Sequence, residues 1–180
     1  WGVEILTWNV ARLRAKFVDT NWLTFIQHFG IICFQETWEV SNHSTLEGFI
    51  HFAKPALKGR RGRVKGGLST LIDTSLPCSV LERTVDSPNC LMVELAFPNK
   101  YKLVIINAYN PGATDQNNSL VILLGQVLSE VRSRIISSRE TLSLVVVGDL
   151  NVHLCEGHCT RIQALSQMGV EGWTHFEHNI

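Results

Sequence analysis

Five polar side chains in this 180-residue chain stand where an apolar run stops. Asn9 follows Ile5-Leu6-Thr7-Trp8, and Glu36 follows Ile31-Ile32-Cys33-Phe34-Gln35. Tyr109 closes Val104-Ile105-Ile106-Asn107-Ala108, and Asp149 and Asn151 close Leu144-Val145-Val146-Val147-Gly148. A buried strand that ends on such a residue presents it at the rim of a sheet. A glutamate next to low-dielectric core needs a partner when ionised, and a divalent cation supplies one. Asp149 and Asn151, two residues apart beyond a tight turn at Gly148, could hold a phosphate oxygen and an attacking water. The neutral Asn9 could orient the metal-binding carboxylate, and the Tyr109 phenol could donate to a phosphoryl oxygen as charge develops there. Each residue alone has a plainer reading: an exposed carboxylate, an Asp/Asn turn, a rim tyrosine. Together they point to one pocket for a cation and a phosphate.

The elements that must position them read as follows. Residues 3–10 form a buried strand. Residues 18–29 carry Trp22, Phe25, Ile26 and Phe29 at helical spacing, with Thr20 or Asn21 as N-cap, and Gly30 ends that helix. Residues 31–35 are a second strand, completing a βαβ-like opening. Residues 49–52 form a strand, and residues 54–66 a basic, glycine-punctuated loop or hairpin tip. Strands over 67–73, 79–83, 91–97 and 103–109 follow, their short links implying antiparallel hairpins, with a turn at Pro98-Asn99-Lys100. Leu120, Leu123, Leu124, Val127, Leu128, Val131 and Ile135 give residues 115–136 a helical core-facing stripe. Residues 144–147 are a strongly apolar strand, and 161–168 a short helix. Mixed strands with helices outside them imply a layered α/β domain spanning residues 1–180.

Composition narrows the class. Hydrophobic residues make up 45% of the chain, which excludes disorder. No apolar run reaches a membrane-spanning length, and no signal peptide is legible, so the expectation is an intracellular, non-secreted protein without a membrane partner. Trp1 in place of Met implies a start inside a longer protein. The five cysteines are an odd number without regular spacing, and Cys33 lies within an apolar strand, which favours a reducing compartment. Net charge is zero, yet Lys58, Arg60, Arg61, Arg63 and Lys65 crowd one loop and Arg12, Arg14 and Lys16 another. Arg60, Arg61, Arg63 and Lys65 are the candidate nucleic-acid contacts.

The ordered set Trp8-Asn9, Gln35-Glu36-Thr37, Asn107-Ala108-Tyr109-Asn110-Pro111 and Gly148-Asp149-Leu150-Asn151 resembles the endonuclease/exonuclease/phosphatase superfamily. Within it, the set is most similar to the apurinic/apyrimidinic-type endonuclease domain of non-LTR (LINE-type) retrotransposons. The resemblance runs from Ile5 to about Trp173. It implies a four-layer α/β/β/α sandwich of two mixed sheets, with the site at one rim. It implies a Mg²⁺-dependent phosphodiesterase (Mn²⁺ as a substitute) that nicks DNA, resident in nucleus or cytoplasm. In a full-length parent, a reverse transcriptase domain would follow. Carried over residue by residue, Glu36 ligates the metal with Asn9 beside it and Tyr109 contacts the scissile phosphate. Asp149 orients or deprotonates the water, and Asn151 holds phosphate and water.

The sequence departs from that pattern twice. Ala11 stands where family members often carry an Asp. Beyond Asn151, His153, His158, His175 and His178 occur, but none follows Ser-Asp, as the family's last motif requires. The expectation is a C-terminally truncated copy lacking its last strands. The alternative functions are an impaired remnant acting in binding, or a member of the phosphatase or lipid phosphodiesterase branch. His153, Cys155, His158 and Cys159 are spaced like metal ligands, but all lie within seven residues, so a polar loop is the better reading than a zinc site.

Overall fold

The structure, a computed structural model, describes residues 2–41, 44–59, 62–111, 117–138 and 141–151. Among the described residues there are ten strands: β1 (Ile5–Asn9), β2 (Ile31–Gln35), β3 (Phe49–Lys54), β4 (Leu57–Lys58), β5 (Val64–Lys65), β6 (Leu68–Asp73), β7 (Ser79–Arg83), β8 (Cys90–Ala96), β9 (Tyr101–Tyr109) and β10 (Thr141–Asp149). Three helices accompany them: α1 (Leu13–Lys16), α2 (Thr20–Ile26) and α3 (Asn117–Ser138). One sheet has the order β1-β2-β6-β3 and the other β10-β9-β8-β7, while β4 and β5 form a small ribbon at the tip of the β3–β6 connection. Each sheet is mixed: β1 with β2, and β10 with β9, are parallel, and the remaining pairs are antiparallel.

The strands read as nearly unbroken apolar runs because both faces of each sheet are covered. On β2, Ile31 and Cys33 pack with Ile72, Val93, Leu95, Leu103 and Ile105 between the sheets. Ile32 and Phe34 turn the other way, onto Leu13, Trp22 and Ile26 of α1 and α2. On the far side, Leu124, Val127 and Val131 of α3 cover Met92, Val104 and Ile106. The result is the expected α/β/β/α sandwich. As expected too, Cys33 is buried, and burial pushes its thiol up to about 12.

Three local expectations change. The N-cap of α2 is Asp19, whose carboxylate accepts from the backbone N–H of Asn21 and Trp22, not Thr20 or Asn21. The short link after β6 is not a hairpin: β6 and β7 belong to different sheets, so residues 74–78 carry the chain across the sandwich. Gly148 makes no tight turn but is the penultimate residue of β10, with φ +139°. The helix expected at 161–168 lies outside the described residues.

Beneath one rim the two sheets are pinned together by a polar knot. Gln35 and Asn107 face each other in the interlayer, both essentially solvent-free. Gln35 Nε2 donates to Asn107 Oδ1 (2.8 Å) and to Thr7 Oγ1 (3.1 Å). Asn107 Nδ2 donates to the carbonyls of Phe34 (3.2 Å) and Ser69 (3.0 Å). Removing one member strands the others in a water-free space. Asn107→Ala is therefore expected to destabilise the fold by about 3 kcal/mol, measured by urea denaturation. A loss below about 1 kcal/mol would mean that water replaces the amide.

Candidate active site

The knot lies directly below the ends of four strands. β1 and β2 run parallel with Asn9 opposite Gln35, so Glu36 lies one residue beyond that pair. β9 and β10 run parallel with Tyr109 opposite Asp149. Parallel pairing brings like ends together, and sheet packing then sets the two pairs of ends face to face. Two hydrogen bonds span the gap. Asn9 Nδ2 donates to Asp149 Oδ2 (2.8 Å), and the Tyr109 hydroxyl donates to Glu36 Oε1. Four of the five sequence-predicted residues thus meet across the sandwich.

Each side chain is further fixed. Asn9 Oδ1 accepts from the Ala11 N–H (3.3 Å), and Asp149 Oδ1 from the Asn151 N–H (3.1 Å). Asn151, the fifth residue, has left-handed backbone (φ 48°) and donates its amide to the Asn110 carbonyl. Asn110 in turn donates to the Leu150 carbonyl (3.0 Å), tying the β9 and β10 ends together. Tyr109 is 7% exposed. Its phenol is held well above the usual tyrosine range, chiefly by burial, then by its hydrogen bond to Glu36 and the negative charges of Glu36 and Asp149.

The backbone around these residues is unusual. Ala11 (φ 42°), Arg12 (φ 89°), Glu36 (φ 55°), Trp38 (φ 57°) and Asn151 (φ 48°) are all left-handed without being glycine. Such conformations each cost on the order of 1 kcal/mol or more and gather where function demands a particular side-chain direction. Among the described residues only Lys100, in the β8–β9 turn, shares the feature elsewhere.

Sequence reasoning missed three contributors. Trp38 Nε1 donates to Glu36 Oε2 (2.5 Å), and the Gly66 N–H donates to the same oxygen (3.0 Å). Asn110 appeared in the motif without a role. Neither Trp38 nor Gly66 ends an apolar run, so nothing in the strand pattern marks them. Beside Trp38 opens a cleft of about 350 Å³ lined by Arg12, Arg14, Thr37, Glu39 and Val64. Of the basic loop, Arg63 and Lys65 are exposed on or next to β5, which leads directly into Gly66. Arg60 and Arg61, like His153, Cys155, His158, Cys159, His175 and His178, lie outside the described residues.

Comparison with known proteins agrees with this fold. The profile of the Endonuclease/Exonuclease/phosphatase family matches residues 6–178. Among solved structures, the APE2 catalytic domain of Xenopus laevis superposes with a TM-score of 0.58 at 16% identity, over 91% of this chain and 66% of that one. The 3'-5' exonuclease NExo of Neisseria meningitidis gives 0.60 at 16% identity, over 91% and 70%. An AP endonuclease of Archaeoglobus fulgidus gives 0.53 at 18% identity, over 84% and 58%. The chain thus spans less than two thirds of the Xenopus and Archaeoglobus domains. A search of curated proteins by sequence finds no match. No helix among the described residues is long and apolar enough to cross a membrane. With its sandwich, its rim of strand-end residues and a profile match over nearly its full length, the chain belongs to the Endonuclease/Exonuclease/phosphatase family.

Proposed function

We propose that this chain is part of the endonuclease domain of a non-LTR retrotransposon, a Mg²⁺-dependent phosphodiesterase that nicks DNA. The observation that carries the reading is the pair of cross-sheet contacts, Asn9–Asp149 and Glu36–Tyr109, at one rim. The family match and the four-segment resemblance support it, as does a fold neighbour, the 3' phosphatase NExo from Neisseria, solved bound to a product DNA hairpin. In a longer parent a reverse transcriptase follows, and the protein works in nucleus or cytoplasm. Free thiols at Cys33, Cys78 and Cys90 fit a reducing compartment.

The donors fit a hard cation. Glu36 offers a carboxylate and Asn9 a carboxamide oxygen from adjacent strand ends, with no thiol or imidazole beside them among the described residues. Among the described residues no three His, Cys, Asp or Glu side chains are placed to hold a metal ion together, so the protein would supply these two oxygen donors. A sparse, oxygen-only set suits Mg²⁺ or Mn²⁺, which keep positions for waters and phosphate oxygens. When bound, the cation neutralises phosphoryl charge and stabilises the leaving oxygen. The chain's own residues do the rest. Asp149, aligned by the Asn9 amide, takes the proton of a water whose oxygen attacks phosphorus in line. The bond from phosphorus to the 3′ oxygen breaks, leaving a 5′ phosphate, and the 3′ oxygen takes a proton from solvent. Tyr109 and Asn151 hold the phosphoryl oxygens.

Supercoiled plasmid incubated with the protein and Mg²⁺ is expected to become nicked circle, and chelation by EDTA to stop it. Equal nicking by a Glu36→Ala preparation would refute the reading. Arg60, Arg61, Arg63 and Lys65 would grip the duplex backbone. Changing Arg60, Arg61 and Arg63 to Ala is then expected to reduce the slope of log affinity against log salt by roughly 2–3. An unchanged slope would remove these residues from the DNA interface.

A further inference from the structure

We propose that Trp38 is a positioning residue for Glu36: its indole N–H fixes which carboxylate oxygen is presented to the cation, and so sets metal affinity. The inference rests on the reading of Glu36 as the metal-holding carboxylate. Both N–H donors on this carboxylate, Trp38 Nε1 at 2.5 Å and Gly66 N at 3.0 Å, converge on one oxygen, Oε2. Oε1 faces the Tyr109 hydroxyl across the gap between the sheets. A carboxylate held this way cannot spin about its terminal bond, and Oε1, which accepts only the Tyr109 hydroxyl, is the oxygen left with a lone pair for a cation.

The surroundings are built to keep the indole there. Glu36 and Trp38 are both left-handed, two residues apart, so the ring folds back over the carboxylate where an extended chain would carry it away. The Trp38 N–H donates to the Gly66 carbonyl (3.1 Å), tying the ring's own backbone to the second donor. Arg12, whose N–H donates to the Glu36 carbonyl (2.9 Å), lays its guanidinium 5.5 Å from the centre of the Trp38 ring. A cation over the ring face draws electron density from the indole, which strengthens its N–H as a donor and holds the ring against rotation. Outer groups that hydrogen-bond a metal-holding carboxylate commonly set affinity by 10- to 100-fold.

The decisive variant is Trp38→Phe, which keeps an aromatic ring under Arg12 but has no N–H. Mn²⁺ binding to the 180-residue protein, followed by the electron paramagnetic resonance of free Mn²⁺, is expected to weaken by roughly tenfold or more. In plasmid nicking, kcat is expected to fall while KM for DNA stays within about twofold, since only the carboxylate's direction has changed. Unaltered Mn²⁺ affinity and kcat in a folded Trp38→Phe protein would reduce the contact to packing and overturn the proposal. A second measurement needs no variant. The indole N–H resonance of Trp38 is expected to shift when Mg²⁺ is added to the unaltered protein, and a fixed resonance under saturating Mg²⁺ would also overturn it. Failure of the underlying reading looks different, because Glu36→Ala would then bind Mn²⁺ as tightly as the unaltered protein.

Discussion

Alanine at Asp149 is expected to slow plasmid nicking by about 10³-fold or more while leaving the melting temperature almost unchanged. The reasoning starts from how the carboxylate is held. It sits on the last residue of β10, with Oδ2 receiving the Asn9 amide and Oδ1 the Asn151 N–H. Neither bond lies in the buried core, so the fold has little to lose. Under the proposed mechanism the reaction has much to lose, because a water held for in-line attack would no longer have a base to receive its proton. Asp149→Asn should do nearly as badly despite its matching shape: an amide NH₂ cannot accept that proton and would confront the Asn9 donor. Single-turnover kinetics separate this effect from DNA binding. A variant that retains more than about a tenth of the rate would remove Asp149 from the role of base.

One residue earlier, the largest expected effect is on folding. Gly148 lies at φ +139° in β10, paired with Ala108 of β9. A Cβ built there falls 1.8 Å from the Ala108 carbonyl oxygen and 2.8 Å from its carbon. Both contacts are with backbone, so no side chain can swing aside. Relief requires separating two paired strands at the very place where Tyr109 and Asp149 are set opposite each other. Gly148→Ala is therefore expected to cost more than about 4 kcal/mol, a large part of a typical domain's stability. The protein should collect in the insoluble fraction or melt roughly 10 °C or more below the unaltered chain by scanning calorimetry. A melting point within about 2 °C would mean that β9 and β10 do not approach this closely.

These two residues illustrate what the sequence disclosed. Asn9, Glu36, Tyr109 and Asp149 were legible because each interrupts an apolar run, and the end of a buried strand leaves a polar side chain only one way out. The layered fold was legible for a related reason: two-sided burial writes itself as continuous Val, Ile and Leu. Gly148 was noticed for the wrong cause, since glycine serves a tight turn and a close backbone contact equally well, and only the neighbouring strand decides between them. The crossing at residues 74–78 looks like a hairpin in sequence because five residues suffice either to reverse a strand or to carry it to another sheet. Asp19 and Thr20 are both good caps, and only the point where α2 begins chooses between them. Trp38 and Gly66 were invisible, being recruited by a carboxylate that tertiary packing brings to them.

The crossing at residues 74–78, the one crossing between the sheets among the described residues, has a consequence for how this protein comes into being. Everything the first sheet offers the rim, Asn9 and Glu36 included, is made before that point, and everything the second sheet offers, Tyr109 and Asp149, after it. During synthesis the emerging N-terminal portion can close its own rim contacts, those of Trp38 and Gly66 on Glu36 among them, but the two bonds that span the sheets, Asn9–Asp149 and Tyr109–Glu36, form only when the later portion docks.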